Sequence, residues 1–361
     1  MLKKRQAGAL LCFITVALAL PAEAVEIYNK NGSKVYLNGR ILARHIISDH
    51  QQFSGDVSKV RLNLMAETEL NNAVNGYMRL EHDFPAFGPE GEGKDRSYTR
   101  YGYAGLNAGE YGTLNYGRND GIIYDVSYFT NIFAVYGSVT SKVDNFMMQK
   151  SSGLLSYHNK DFFSRIEGLD IGLQLQTRNS SKERGFDTQH GRGYGMSLTW
   201  RFDKLPLTLA GAWSRSHHSQ KQSMLMQQDK EASAWIIGAK YEPDPFYLAA
   251  FYSEMHHMYP YTHPDSHRSG LVNKARLFEG VVSYKTPYKF SVAVGYLQTL
   301  GFDLEDAGRA ELLRMVDLFL VYPFNSQMRA TAEYKINVIS QENRLKLPRD
   351  NTLALTLIYD F

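Results

Sequence analysis

The chain predicts an all-β fold, a transmembrane antiparallel β-barrel of about 16 strands, on three observations. The first is its end: Leu353, Leu355, Leu357, Tyr359 and Phe361 alternate with Thr352, Ala354, Thr356, Ile358 and Asp360, and the chain stops on an aromatic. About ten residues at period two, tilted across an apolar layer roughly 25 Å tall, suffice for one membrane stave. The second is the absence, beyond the N-terminus, of any apolar run approaching the length of a spanning helix, with 43% hydrophobic residues and a mean hydropathy of -0.36. Barrels read this way because only alternate residues face lipid. The third is that several interior stretches sort charge to one face and apolar side chains to the other.

Those stretches are explicit. Val35, Leu37, Gly39, Ile41 and Ala43 oppose Tyr36, Asn38, Arg40, Leu42 and Arg44. Leu62, Leu64, Ala66, Thr68 and Leu70 oppose Arg61, Asn63, Met65, Glu67 and Glu69. Met78, Leu80 and Phe84 oppose Arg79, Glu81 and Asp83, with His82 an exception on the apolar face; the run Met328 to Val338 alternates in the same way. A single strand cannot tell a soluble sandwich from a barrel. In a barrel the apolar face meets lipid, so Arg40, Arg61, Glu81 and Lys335 line a wet lumen. Tight turns are expected at Glu242 to Pro245 and Pro323 to Ser326, and long external loops at Phe84 to Tyr98, Ser216 to Ser233, Met255 to Ala275 and Ser340 to Asn351. Short turns alternating with long loops suit a barrel with one end in the periplasm.

The N-terminus carries an address. Lys3, Lys4 and Arg5 precede the apolar run Ala9 to Leu20, and Ala22-Glu23-Ala24 is a small-x-small cleavage site. Residues 1–24 read as a secretory signal peptide for Sec export and 25–361 as one barrel domain. Cys12, the only cysteine, leaves with the signal, so the mature chain forms no disulfide of its own. The net charge of +3 falls to +1 on removal of three bases and one acid, and nothing in that balance asks for nucleic acid.

Val25-Glu26-Ile27-Tyr28-Asn29-Lys30-Asn31-Gly32 followed by Leu37-Asn38-Gly39 resembles the mature start of the enterobacterial general diffusion porins. Ala104-Gly105-Leu106, Gly112 to Asn119 with its Tyr-Gly-Arg-Asn run, Gly238 to Tyr241, Tyr247 to Ala250 and the closing Tyr359-Asp360-Phe361 extend the resemblance over the mature chain. The resemblance implies a homotrimer in the bacterial outer membrane. It also implies a third external loop folded into the lumen, lipopolysaccharide as external partner, and a final Phe361 read by the barrel-assembly machinery. It further implies passive diffusion of ions and small hydrophilic solutes, with no enzymatic activity, cofactor or metal.

By position, Arg40, Arg61, Arg100 and Lys150 fall on the family's basic pore sites. The alternation independently puts Arg40 and Arg61 on polar faces, whereas the aromatic run Tyr98 to Tyr103 leaves Arg100 undecided. The third loop departs from the pattern. Where the family has Pro-Glu-Phe-Gly-Gly, this chain reads Ala134-Val135-Tyr136-Gly137-Ser138, and a second acidic position is Asn131. Asp125 and Asp144 remain, but residues 126–143 contain no acid and one base, Lys142. Rings of acids favour cations and rings of Arg or Lys favour anions, so weak cation preference or net anion preference is expected unless Asp125, Asp144 or the lumen acid Glu81 compensates. Glu90 sits where the family reaches over to the neighbouring subunit.

Two other functions compete with a general pore. An outer-membrane enzyme would need a rim site, and His217-His218, His256-His257, His263 and His267 occur in loops without a Gly-x-Ser-x-Gly or His-Glu-x-x-His motif. Adjacent histidines also point to opposite sides of a strand, which does not suit a zinc tetrad. A substrate-specific channel is the alternative to a general pore, and Tyr98, Tyr124, Tyr128 and Tyr136 are its candidate track.

Overall fold

A computed structural model describes residues 24–88, 97–140, 145–181, 184–226, 231–262, 269–304 and 307–361. The leader before residue 24, Glu90, Lys142, Asp144, His263 and His267 lie outside the described residues. The first strands are β1 (Val25–Lys30), β2 (Ser33–Ser48), β3 (Gly55–Asp56), β4 (Lys59–Asn71), β5 (Val74–Pro85), β6 (Tyr98–Asn107) and β7 (Thr113–Asp120). They are followed by β8 (Lys150–Asn159), β9 (Leu169–Gln176), β10 (Gly193–Arg201), β11 (Leu207–His217), β12 (Glu231–Tyr241) and β13 (Phe246–His256). The short pair β14 (Pro260–Thr262) and β15 (Ser269–Leu271) precedes β16 (Lys274–Lys285), β17 (Ser291–Leu304), β18 (Gly308–Pro323), β19 (Met328–Asn337) and β20 (Thr352–Asp360). Of the 18 segments in the main sheet, β1 and β3 are short additions, and the other 16 close into an antiparallel barrel.

Closure happens at the chain's end. Strand β20 pairs with β2 from Ser48↔Thr352 to Arg40↔Asp360, and Gly39 and Phe361 exchange both backbone hydrogen bonds (2.8 and 3.0 Å). A Cβ on Gly39 would lie 2.7 Å from Phe361 Cζ, so the glycine makes room for the terminal ring. Strand β1 then takes over as partner of β2 from Val25↔Leu37 onward. Strands β1 and β20 thus share one edge of β2, and among the described residues the main sheet closes without an unpaired edge. Asn31 and Gly32, both at positive φ, form the two-residue turn between β1 and β2, the turn whose twist suits a hairpin.

The expected alternation is present in the burial of β20: Ala354, Thr356, Ile358 and Asp360 are buried, whereas Leu355, Leu357 and Tyr359 are exposed on the outer face. His82 does sit on the outer face of β5, hydrogen-bonded to Thr99 at 3.1 Å. Outward aromatics recur six residues apart on single strands, as in Tyr194 and Trp200, Trp235 and Tyr241, and Phe278 and Tyr284. Six residues of strand span about 20 Å, which sets two girdles at the two interfaces of an apolar band. Neighbouring strands extend them through the ring pairs Tyr194–Trp213, Trp235–Tyr252 and Phe278–Tyr296 on one side and Phe246–Tyr284 and Tyr322–Phe324 on the other.

Candidate functional site

Across the seam, the register lines up four inward charges on four adjacent strands. Asp360 on β20 is opposite Arg40 on β2, Arg40 opposite Arg61 on β4, and Arg61 opposite Asp83 on β5. Arg40 Nε lies 2.9 Å from Asp360 Oδ1, and Arg61 grips Asp83 with Nε at 2.5 Å and Nη2 at 2.9 Å. Such two-pronged contacts fix guanidinium geometry as well as charge. Lys59 adds a contact to Asp83 at 2.8 Å, and Arg329 pairs with Asp360.

Glu81 organises the next row. It accepts from Arg100 at 2.5 Å and Arg79 at 2.6 Å, with Arg61 3.6 Å away. The placement of Arg100 that alternation left open depends on a bulge. Between β5 and β6, Glu81 faces Tyr101 but His82 faces Thr99, so Arg100 is the extra residue. A bulge breaks the period-two rule locally, and Arg100 and Tyr101 both line the cavity. Lys150 is held differently from what its sequence position implied. Its ammonium lies 4.9 Å from the ring centres of both Tyr101 and Tyr124, and 3.2 Å from Asp120, its register partner.

Between β7 and β8, the described residues 121–140 and 145–149 pack against side chains of the wall strands. Gly121 N–H donates to Gln149 C=O and Ile123 N–H to Met147 C=O, so the segment's two ends pair with each other. A Cβ on Gly121 would meet the Met147 carbonyl carbon at 2.1 Å. A single helical turn, Tyr124–Ser127, follows. Ile122, Ile123, Val126 and Phe129 are fully buried, in one cluster with the inward Ala210 and Ala212 of β11 and Ala232 and Ala234 of β12. Small inward side chains leave the space that the loop fills. The drive is apolar burial, worth roughly 1.5–3 kcal/mol for a fully buried large side chain.

Farther along, wall carboxylates hold the backbone. Glu333 on β19 accepts from three consecutive N–H groups, Ala134 at 2.8 Å, Val135 at 2.9 Å and Tyr136 at 2.6 Å. Glu279 on β16 accepts from Val139 N–H at 2.8 Å. Asp317 on β18 is fully buried in the same region. Phe133 stacks on Phe319 at 5.9 Å, against Gly295, where a Cβ would come within 2.5 Å of the ring.

Of the loop residues singled out in the sequence, Asp125, Asn131, Val135 and Gly137 line the cavity. Asn131 donates to the Tyr124 hydroxyl at 2.6 Å, and the Tyr136 ring lies 5.3 Å from the Lys335 ammonium. Burial raises the Tyr124 and Tyr136 phenols above their ordinary range, so both are neutral. Asp125 docks into a notch of the wall. Its Oδ2 accepts from Ser197 on β10 at 2.5 Å and lies 3.0 Å from His158 Nε2 on β8. Gly172 on β9 lies between those two residues in register and opens the notch. Glu81 is almost completely buried beneath its arginines.

Sequence reasoning passed over several residues of this site. Lys59, Arg79, Asp83 and Glu333 stand on polar faces that the alternation had already exposed, so that pattern was sufficient to include them. His158, Asp120 and Glu279 had no such signal, because their role depends on what the loop brings to them.

The chain matches the family model described as Gram-negative porin over residues 30–361. It is 38% identical to the outer membrane porin PhoE of Enterobacter cloacae over 360 residues, covering 99% of this chain and 100% of that protein. It is 36% identical to PhoE of Escherichia coli K12 over 360 residues, covering 99% of this chain and 100% of that one. Among solved structures, OmpF of Salmonella typhi in complex with daunomycin superposes with a TM-score of 0.86 at 30% identity, covering 93% of this chain and all of that one.

Proposed function

We propose that this chain, which belongs to the Gram-negative porin family and is an outer-membrane pore for passive diffusion of ions and small hydrophilic solutes, passes anions in preference to cations. The observation that carries the preference is the charge balance of the lumen. Ten Lys and Arg side chains line the cavity of about 1460 Å³ beside the loop, against three carboxylates, Glu67, Asp120 and Asp125. Adding Glu81, Asp83 and Asp360, which pair with lining bases, still leaves the bases four ahead. The acids at the far wall do not offset this, because Glu279, Asp317 and Glu333 are fully buried. Asn131 and Val135 put uncharged side chains at the loop positions where an acid would draw cations.

A general pore is favoured over a solute-specific one because the tyrosines that would form a binding track are engaged. Tyr98 donates to Asp83 at 3.0 Å, Tyr124 accepts from Asn131 and faces Lys150, and Tyr136 faces Lys335. The remaining parts of the reading follow the family: residues 1–24 act as a cleaved Sec signal, three copies assemble, and Phe361 serves recognition during insertion. Outward bases and aromatics at the external rim, such as Lys274, Arg276 and Phe302, suit the phosphates of lipopolysaccharide. Glu90 contributes to the contact between subunits, and the third loop narrows the pore.

The test is a zero-current potential across a planar bilayer in a KCl gradient, on the wild type and Val135→Glu. The wild type is expected to favour chloride, and the variant to shift about twofold towards potassium, because one acid is added at the lumen face of the loop. Strong potassium selectivity of the wild type would overturn the reading.

A further inference from the structure

Arg44 differs from Arg40, Arg61, Arg79, Arg100 and Lys150 in how it is held. It lies on β2, four residues beyond Arg40 and on the same inward face, and it lines the same cavity. Its Nε donates to Thr356 Oγ1 on β20 at 3.0 Å, and its Nη2 makes a long contact of 3.4 Å to the Ala134 carbonyl on the loop. Both partners are neutral. Arg40, Arg61, Arg79, Arg100 and Lys150 each form an ion pair with a carboxylate, whereas Arg44 forms none among the described residues. Glu333, whose oxygens accept from the three loop amides, makes no ion-pair contact with Arg44.

A guanidinium cannot shed its proton, so this charge persists at any working pH. For the paired bases, a carboxylate a few ångströms away cancels most of the field at longer range. For Arg44 no such partner does, and its field reaches an ion in the lumen over about a Debye length, roughly 8 Å at physiological salt. The contact with Ala134 sets this charge in the part of the loop that holds Asn131 and Val135.

We propose that Arg44 is a further selectivity-determining residue of the pore: 9% exposed and without a carboxylate in ion-pair contact among the described residues, its guanidinium acts through its field on small inorganic anions that pass where wall and loop meet. The two neutral contacts hold it there without neutralising it. This deepens the anion reading and takes only its sign from it.

The experiment compares full-length wild type, Arg44→Met and Arg44→Lys by zero-current potential in a KCl gradient, together with open-channel noise. Arg44→Met is expected to lower the chloride-to-potassium permeability ratio about twofold. Arg44→Lys, which keeps the charge but loses the forked contacts, is expected to keep the ratio and raise the noise. Arg44→Gln replaces Arg44→Met if the latter does not assemble. An unchanged ratio in the neutral variant, or an equal fall in Arg44→Lys, overturns the proposal by leaving Arg44 a purely structural role. A wild type that favours potassium, combined with a neutral variant that favours it more, overturns the anion reading while sustaining the assignment of Arg44.

Discussion

The two sides of the lumen carry opposite charges in opposite states of cover. On the side formed by β2 and β4–β8, Arg40, Arg61, Arg79, Arg100 and Lys150 line the cavity, each braced by a carboxylate. On the side formed by β16, β18 and β19, Glu279, Asp317 and Glu333 are fully buried, and two of them bind backbone N–H groups of the loop. A charge facing water in the pore acts on permeating ions. A carboxylate buried under the loop and engaged by its N–H groups acts on the loop. The difference teaches that pore selectivity cannot be read from the wall's composition, since the loop decides which wall charges are seen.

The most direct way to break this comparison is Glu333→Gln. It removes the charge and one acceptor oxygen from three loop amides, and buried donors left unpaired cost about 1–3 kcal/mol each. The tip of the loop is expected to loosen by about 3 kcal/mol in total, visible as excess open-channel noise and new subconductance levels. Quiet traces identical to the wild type would mean that the covered wall does not hold the loop.

Gly172→Ala probes the other anchor of the same loop. The added Cβ would sit 2.3 Å from Ser197 Oγ and 3.0 Å from Asp125 Oδ2, so the hydroxyl that holds the carboxylate must turn away and the notch tightens. Overpacking of this kind costs about 1–3 kcal/mol. The expected outcome is earlier proteolytic cleavage within 121–149 on folded protein, and equal cleavage rates would remove the notch from the account.

A smaller effect sharpens the contrast between the lumen and the external loops. His190, fully buried just before β10, has its pKa pushed down to about 4 by desolvation. A depressed histidine favours the folded state above its ordinary pKa of about 6.5, and that contribution is lost as pH falls from there through the folded value. Between pH 7.5 and 5.5 the loop around it is expected to lose about 1 kcal/mol of protection. Hydrogen exchange of the 184–191 amides, corrected for intrinsic rates, reads this directly, and pH-independent protection would contradict it.

Much of the fold was legible because its causes are local. Period-two alternation put Arg40 and Arg61 inward and His82 outward, and the Leu-rich end at β20 marked the closing stave. Arg100 was not legible, because a bulge between β5 and β6 shifts it into the lumen and a bulge has no period. Lys150 was legible as a base but not as a caged one, since Tyr101 and Tyr124 come from elements 23 residues apart in the chain. Arg44 was visible on a polar face, yet nothing in the sequence said that it would lack the carboxylate partner that Arg40, Arg61, Arg79 and Arg100 have.

By itself the sequence determined the class of fold and the membrane face of the strands with explicit alternation, because strand geometry ties side-chain direction to residue parity. Only the tertiary structure decided the electrostatics of the pore. Pairing between strands joined bases to Glu81, Asp83 and Asp360, and the inserted loop covered Glu279, Asp317 and Glu333. Both depend on distance in space and on desolvation, which residue order does not specify.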